Sequence, residues 1–312
     1  MSGSASTPSG HAIVRVKFVD FWEGFDPERN YFTDVIGDAV AVEISDRPEV
    51  VFFSSFGREH EKFPDAMKVF YTGENVRPNR MECDYSIGFD HLGSLRHFRW
   101  PLYNLYPRRE VDCGNRSGFC SIVVSNPNSF LRLRFAERLD RRRPVAYGGK
   151  VRNNVGGPIG SKLDFISRYR FNIAFENSSY PGYTTEKLFE AKLAGCIPIY
   201  WGDPRVSEDF DPDAFIDLST FPSWDACIEH ILEVDDDPSL SARYIGTPLV
   251  PGGEETLDSR ADGLRAFLAG ILRCGTRRPK IAGLARRTAV LNRMRTRKID
   301  RAATSRWPEM AD

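Results

Sequence analysis

The chain has 312 residues, 41% hydrophobic and 28% charged, and a formal net charge of zero. That size allows one large or two medium domains with a core that needs no disulfide or metal staple, and the composition is ordinary for a globular protein. The neutral total gives no whole-molecule signal for nucleic acid, but it hides an asymmetry. Residues 273–306 hold twelve Lys or Arg against one acid, Asp300, so a tail of +11 balances a body of −11.

The polar start, MSGSASTPSG (residues 1–10), reads as a flexible N-terminus rather than a signal peptide. HAIVRVKFVDFW reads as a first buried strand, followed by the apolar runs AVAVEIS, EVVFFSSFG, KVFYTGEN and YSIGFDH. These runs are continuous rather than alternating, which suits strands buried on both faces of a parallel sheet. PRREVDCGNRSG, residues 107–118, is the best linker by its turn-rich composition. Beyond it strand and helix alternate: FCSIVVSN, then helical SFLRLRFAERLDRR, then strand FNIAFEN, helix TTEKLFEAKLAG and strand CIPIYWG. AFIDLS, SWDACIEHILEV and DSRADGLRAFLAGILR add a strand and two helices. The rhythm predicts doubly wound α/β structure. The expected division is an N-terminal domain over 11–112, a C-terminal domain over 113–272 and a basic tail over 273–312. The six cysteines (Cys83, Cys113, Cys120, Cys196, Cys227, Cys274) form no CxxC pair, which points to a reducing compartment. No run approaches the roughly 18 apolar residues of a membrane span. A cytoplasmic protein is expected, its basic tail either lying on an anionic membrane surface or packing on the acidic body.

Chemistry concentrates in FENSSYPGYTTEKLFEAKLAGCIPIYWGDP, residues 175–204. In an open α/β sheet, ligands bind beyond the C-terminal ends of the strands, where Glu176 and Asn177 fall. The helix that follows starts near Thr184, and its free N–H groups attract phosphate. Lys187 adds a full positive charge there, which the helix dipole alone disfavours and a bound anion would accommodate. Glu186 is placed to accept hydrogen bonds from sugar hydroxyls, and Tyr183 to stack on a ligand or donate to a phosphate. Each residue alone also has an ordinary surface reading.

Taken in order, Phe175–Ser178, Tyr183, Thr185–Lys187 and Ile197–Gly202 resemble the signature of the α1,3/4-fucosyltransferases, glycosyltransferase family ten. VFYTGENVRPN (69–79), DYSIGFDHL (84–92), SNPNSFLR (125–132) and GGKVRNNVGG (148–157) resemble its bacterial branch. The resemblance covers roughly residues 66–235. It implies a GT-B-like fold of two Rossmann-like domains facing a cleft, the donor in the C-terminal one. It further implies inverting transfer of L-fucose from GDP-β-L-fucose to a hydroxyl, such as the 3-OH of GlcNAc or Glc in an N-acetyllactosamine-type glycan or a lipopolysaccharide side chain. By that resemblance Glu74 is the general base, with Tyr71 and Asn75 on the acceptor side. Arg132 and Lys187 bind the diphosphate, Glu186 holds ribose hydroxyls, and Asn177 and Tyr183 contact the donor. Glu176 either touches the fucose or supports the base, and Ser125 and Asn126 lie near the nucleotide. No cofactor or metal is implied, because Arg and Lys can stabilise the leaving diphosphate.

Several residues keep two readings. Asp90 and His91 are rival bases, and Lys150 and Arg152 are either phosphate contacts or part of a flexible turn. Arg134 and Arg138 read as solvent-facing, Tyr200 and Trp201 as packing, and Cys196 as a small core residue. The short segment between the domains sets the chain apart from the best-known bacterial members and puts acceptor specificity in question, and no heptad repeat precedes the tail, so a repeat-based dimer is not expected. The rival readings are an inverting transferase for another nucleotide sugar, a non-catalytic nucleotide-sugar- or glycan-binding protein, and a metal-dependent GT-A enzyme. The last would need a DxD motif; Asp211–Asp213 supplies one that reads as a turn leading into a strand. Nucleic-acid binding is not expected, since the tail lacks interleaved aromatics.

Overall fold

The computed structural model describes residues 13–106, 116–125 and 130–273; Asn126 and the basic tail lie outside the described residues. The chain divides into two compact units.

The first unit carries a parallel sheet of β1 (Val14–Val19), β2 (Val42–Ile44), β3 (Val50–Phe53), β4 (Met67–Tyr71), β5 (Tyr85–Gly88) and β6 (His97–Arg99), in the order β2-β1-β3-β4-β5-β6. All four residues of β3 are buried, as its unbroken apolar run requires. Helix α1 (Tyr31–Ile36) starts with an Asn30–Thr33 capping box. A cluster of Val19, Val51, Phe53, Ala66, Phe70 and Cys83 packs on one side of the sheet.

The second unit carries β7 (Gly118–Ile122), α2 (Phe130–Asp140), β8 (Val145–Tyr147), α3 (Lys162–Ile166), β9 (Tyr169–Ile173), α4 (Glu186–Leu193), β10 (Ile197–Tyr200), β11 (Ile216–Asp217), α5 (Trp224–Asp236) and α6 (Pro238–Gly246). Its parallel sheet runs β11-β10-β9-β7-β8. Helix α5 buries Trp224, Cys227, Ile228, Ile231 and Val234, a stripe at helical spacing that joins Phe135, Phe171 and Phe175 in the main core. Each such aliphatic side chain contributes roughly 1.5–3 kcal/mol by leaving water. The guanidinium of Arg138 forks onto Asp225 of α5 at 2.7 and 2.6 Å, so this arginine is half engaged rather than simply solvated.

Two features depart from the domain limits expected above. The segment from Pro101 groups with the second unit, where Tyr103 packs on Phe210 at 4.7 Å between ring centroids. The last helix, α7 (Gly253–Arg273), was expected in the C-terminal domain, yet from Asp258 onward it groups with the first. Its Phe267 ring meets Phe98 at 5.4 Å, Leu264 and Leu268 are fully buried, and Arg265 Nε donates to the Val35 carbonyl at 3.0 Å. An amphipathic stripe fixes that a helix covers a sheet, but not which sheet.

Candidate active site

In the second sheet, β8 lies to one side of β7 and β9 to the other. The chain direction therefore reverses between β7 and β9, and the crevice beyond their C-terminal ends is where ligands collect in such sheets. The charged residues of the motif gather there. Arg132, in the first turn of α2 after β7, is 6% exposed and donates through Nη2 to Asn177 Oδ1, just past β9. Burial pulls its pKa down, while Glu176, Tyr183 and Glu186 nearby oppose that fall. Asn177 itself is exposed, as is Ser125, three residues past β7.

Glu176 has an internal role. Its side chain is buried and accepts from the Thr185 N–H at 2.7 Å, the Thr185 hydroxyl at 2.7 Å and Lys187 Nζ at 3.1 Å. Lys187 also donates to Thr185 Oγ1 at 2.7 Å. The carboxylate thus ties the end of β9 to the start of α4. Thr185, at the N-cap of α4, makes no side-chain cap hydrogen bond to that helix, because its hydroxyl is turned to Glu176. Gly202 is required beside it: a Cβ there would sit 2.4 Å from Glu176 Cγ.

Burial works against the charge of Lys187, but Glu176 and Glu186 outweigh it and its pKa is raised. Burial likewise works against Glu186, yet Lys187 and Lys162 hold its carboxyl down at about 2. Lys162, at the start of α3, reaches Glu186 at 3.5 Å and also pairs with Glu190, whose pKa burial raises. Arg132, Lys162 and Lys187 thus gather at the N-terminus of α4, held in place by Glu176, Glu186 and Glu190, and offer charged donors of the kind that bind a diphosphate. Among the described residues, no group of three or more His, Cys, Asp or Glu side chains assembles as a metal ligand set.

Tyr183 belongs to the scaffold of this site. It is 1% exposed and its ring stands edge-on to Phe89 at 5.1 Å. Its loop is held by Asp203, which accepts from the Gly182 N–H at 2.7 Å, the Thr184 hydroxyl at 3.1 Å and the Arg205 N–H at 2.8 Å. Gly182, at φ +87°, has no room for a side chain, since a Cβ would lie 2.4 Å from the Phe89 carbonyl oxygen. Tyr200 and Trp201 are buried, as is Cys196. His91 is exposed and pairs with Glu208 at 3.7 Å; Asp90 is buried. Arg152 pairs with Glu137, Lys150 is exposed, and Asn154 pins their loop through the Tyr147 N–H and the Val145 carbonyl. Asp211 accepts from the Asp213 N–H at 2.9 Å, a turn that leads into β11. Lys162 and Asp203 were not singled out in the sequence. Asp203 had a signal, as the residue after YWG; Lys162 had none, because its partners lie 24 and 28 positions away.

In the first unit, Glu74 lies three residues past β4 and is exposed. The Thr72 hydroxyl holds its backbone, accepting from the Glu74 N–H and donating to the Glu74 carbonyl, both at 3.0 Å. Asn75 accepts from Arg77 at 2.5 Å. Tyr71 is fully buried, its ring 4.9 Å from Phe32 and 6.3 Å from Phe21, so it supports the loop from below.

Two consecutive parallel α/β units with a cationic switch-point crevice in the second define the GT-B class of glycosyltransferases. Residues 16–106 match the Alpha-(1,3)-fucosyltransferase FucT N-terminal domain, and residues 114–246 match the Glycosyltransferase family 10 (fucosyltransferase) C-terminal domain. The two together span most of the chain, and the chain belongs to glycosyltransferase family 10. The Alpha-(1,3)-fucosyltransferase FucT of Helicobacter pylori is 35% identical over 227 residues, covering 59% of this chain and 48% of that protein. Alpha-(1,3)-fucosyltransferase 4 of Homo sapiens is 32% identical over 171 residues, 53% of this chain and 31% of that protein. The chain thus matches about half the length of the bacterial relative and less of the human one. A crystal structure of an α1,3-fucosyltransferase with GDP-fucose superposes with a TM-score of 0.70 at 26% identity, over 90% of this chain and 95% of that one. A second, with GDP, gives 0.72 at 25%, over 87% and 93%.

Proposed function

We propose that this chain is an inverting α1,3-fucosyltransferase that moves L-fucose from GDP-β-L-fucose to a hydroxyl of an N-acetyllactosamine-type glycan. The observation that carries this is the cationic crevice of Arg132, Lys162 and Lys187 at the β7/β9 switch point, on a chain whose solved relatives hold GDP and GDP-fucose. In this reading the acceptor oxygen attacks the anomeric carbon from the face opposite the diphosphate. The C–O bond to GDP breaks, and its electron pair leaves with the diphosphate, stabilised by Arg132 and Lys187. Glu74 takes the proton of the attacking hydroxyl. Glu186 accepts from ribose hydroxyls, and Asn177, together with Ser125, borders the nucleotide. No metal takes part.

The test is transfer of labelled fucose from GDP-fucose to N-acetyllactosamine with excess chelator, GDP-mannose being the control donor. Transfer that survives the chelator and fails with GDP-mannose is expected; transfer that stops with the chelator would overturn the metal-free mechanism. Glu74→Ala should lower transfer by about 10²–10⁴-fold while GDP affinity stays within about twofold. An equal loss of GDP affinity would make Glu74 structural.

No helix of the described residues is long and apolar enough to cross a membrane. The basic sequence of residues 273–306 is suited to an anionic membrane surface on the cytoplasmic side. Pelleting with phosphatidylserine vesicles that disappears on deleting residues 277–306 is the expected result; no pelleting of the full chain would refute it.

A further inference from the structure

The first sheet has its own switch point, between β1 and β3, because β2 lies to one side of β1 and β3 to the other. Three residues stand at the same offset, three positions past the ends of the neighbouring strands β1, β3 and β4: Trp22, Phe56 and Glu74. All three are exposed, Trp22 by 38% and Phe56 by 52%. A single exposed aromatic residue means little. Two rings at one switch point, beside an exposed carboxylate on the next strand, are a different matter. Neighbouring strands lie about 4.8 Å apart, so the three loops start within about 10 Å of one another, the length of roughly two sugar rings.

The loops after β1 and β3 are also stitched together. Asp20, at φ +60°, accepts through its carbonyl from the Phe56 N–H at 3.1 Å. Its carboxylate accepts from the Glu59 N–H at 2.8 Å, the His60 N–H at 3.0 Å and His60 Nδ1 at 2.6 Å. His60 is buried and stacks on Phe53 at 4.0 Å. Gly57 leaves the space that Asp20 occupies, since a Cβ there would lie 2.3 Å from Asp20 Oδ1. Trp22 rests edge-on against Phe25 at 5.2 Å, Phe21 at 5.6 Å and Tyr71 at 6.5 Å, and keeps 38% of its surface exposed. The loops that carry the two rings are therefore pre-positioned, and such rigidity lowers the entropic cost of binding.

We infer that Trp22 and Phe56 form the stacking platform for the acceptor sugar, presenting it beside Glu74, and that the Asp20–His60 pair is the positioning device of that platform. A pyranose offers an apolar C–H face that an aromatic ring accommodates, while its hydroxyls stay free for polar partners. The inference rests on the fucosyltransferase reading above. It goes beyond that reading by naming the residues that recognise the neutral substrate.

The experiment measures KM for N-acetyllactosamine, KM for GDP-fucose and acceptor-free hydrolysis of GDP-fucose, for the wild type, Phe56→Ala, Trp22→Ala and Trp22→Phe. Loss of one stacking ring should raise the acceptor KM by about tenfold in either Ala variant, with GDP-fucose KM and hydrolysis within about twofold. Trp22→Phe should retain most of the acceptor affinity. Phe56 is the more exposed ring, so its variant separates recognition from folding. An acceptor KM unchanged in both Ala variants overturns the inference alone, and so does a parallel rise in the KM of both substrates. Hydrolysis without transfer to N-acetyllactosamine by the wild type also overturns the inference as stated. A wild type with neither activity overturns the fucosyltransferase reading and this inference with it.

Discussion

Glu176→Gln should unfasten the donor site without touching the donor. The carboxylate accepts three hydrogen bonds, from the Thr185 N–H, the Thr185 hydroxyl and Lys187, inside a region its side chain shares with no solvent. Glutamine has nearly the same shape but only one accepting oxygen. Its amide group can donate to Thr185 Oγ1, yet the N–H of Thr185 and the ammonium of Lys187 then compete for one acceptor. Removing one partner of a buried ion pair costs about 3–5 kcal/mol when the other charge is left uncompensated. Glu186, 3.6 Å from Lys187, still offsets part of that charge, so the lower end, about 3 kcal/mol, applies here. At roughly 2–4 °C per kcal/mol, the melting transition should fall by about 6–12 °C. GDP affinity should fall with it, because Glu176 orients the first turn of α4 and Lys187. Thermal unfolding followed by circular dichroism, with and without GDP, reads both effects. A variant that melts within about 2 °C of the wild type and binds GDP equally well would refute the assignment of Glu176 as the tie between β9 and α4.

Two further substitutions separate binding from support. Lys187→Met and Arg132→Lys should each weaken GDP by about 10–100-fold in calorimetry, as expected for losing a charge-assisted contact of roughly 1.5–3 kcal/mol; unchanged affinity in both would remove them from the diphosphate site. Glu186 supplies a pH dependence. Its folded-state pKa is about 2, below the ordinary carboxylate value of 4.5, so its stabilisation is complete above that ordinary value and is lost as pH falls toward 2. That difference corresponds to at most about 3 kcal/mol. Urea titrations between pH 7 and 3 should show a shallower acid loss for Glu186→Gln than for the wild type; parallel curves would sink the account.

The sequence was most legible where one physical demand acts on consecutive residues. VVFF of β3 and IPIY of β10 are unbroken apolar runs, and both are buried central strands. The short strands β6 (HFR) and β8 (VAY) carry no such signal, because three residues with polar neighbours show no period. At the site, the motif residues Arg132, Asn177, Glu186 and Lys187 converge at one switch point, although they are spread over 56 positions of the sequence. A motif does not distinguish residues facing a ligand from residues holding the loop that does. Tyr183 and Glu176 stand inside it, yet one is buried against Phe89 and the other inside a hydrogen-bond network. Tyr71 likewise lies beneath the Glu74 loop. Lys162 was invisible because its role exists only when α3 packs on α4.

The two switch points differ in chemistry, and that difference is itself testable. The crevice of the second sheet is built from Arg132, Lys162, Lys187 and paired carboxylates, a set that answers to charge. The switch point of the first sheet presents Trp22 and Phe56, which answer to shape and apolar surface. Salt screens the first kind of attraction and leaves the second nearly untouched, though partly buried charges are screened less than exposed ones. Raising sodium chloride from about 50 to about 500 mM should therefore raise KM for GDP-fucose by about threefold and leave KM for N-acetyllactosamine within about 1.5-fold. The measurement is a pair of initial-rate series at fixed saturating co-substrate. Parallel rises in the two constants would mean that charge also governs acceptor capture, and the aromatic platform would then lose its claim to the neutral sugar.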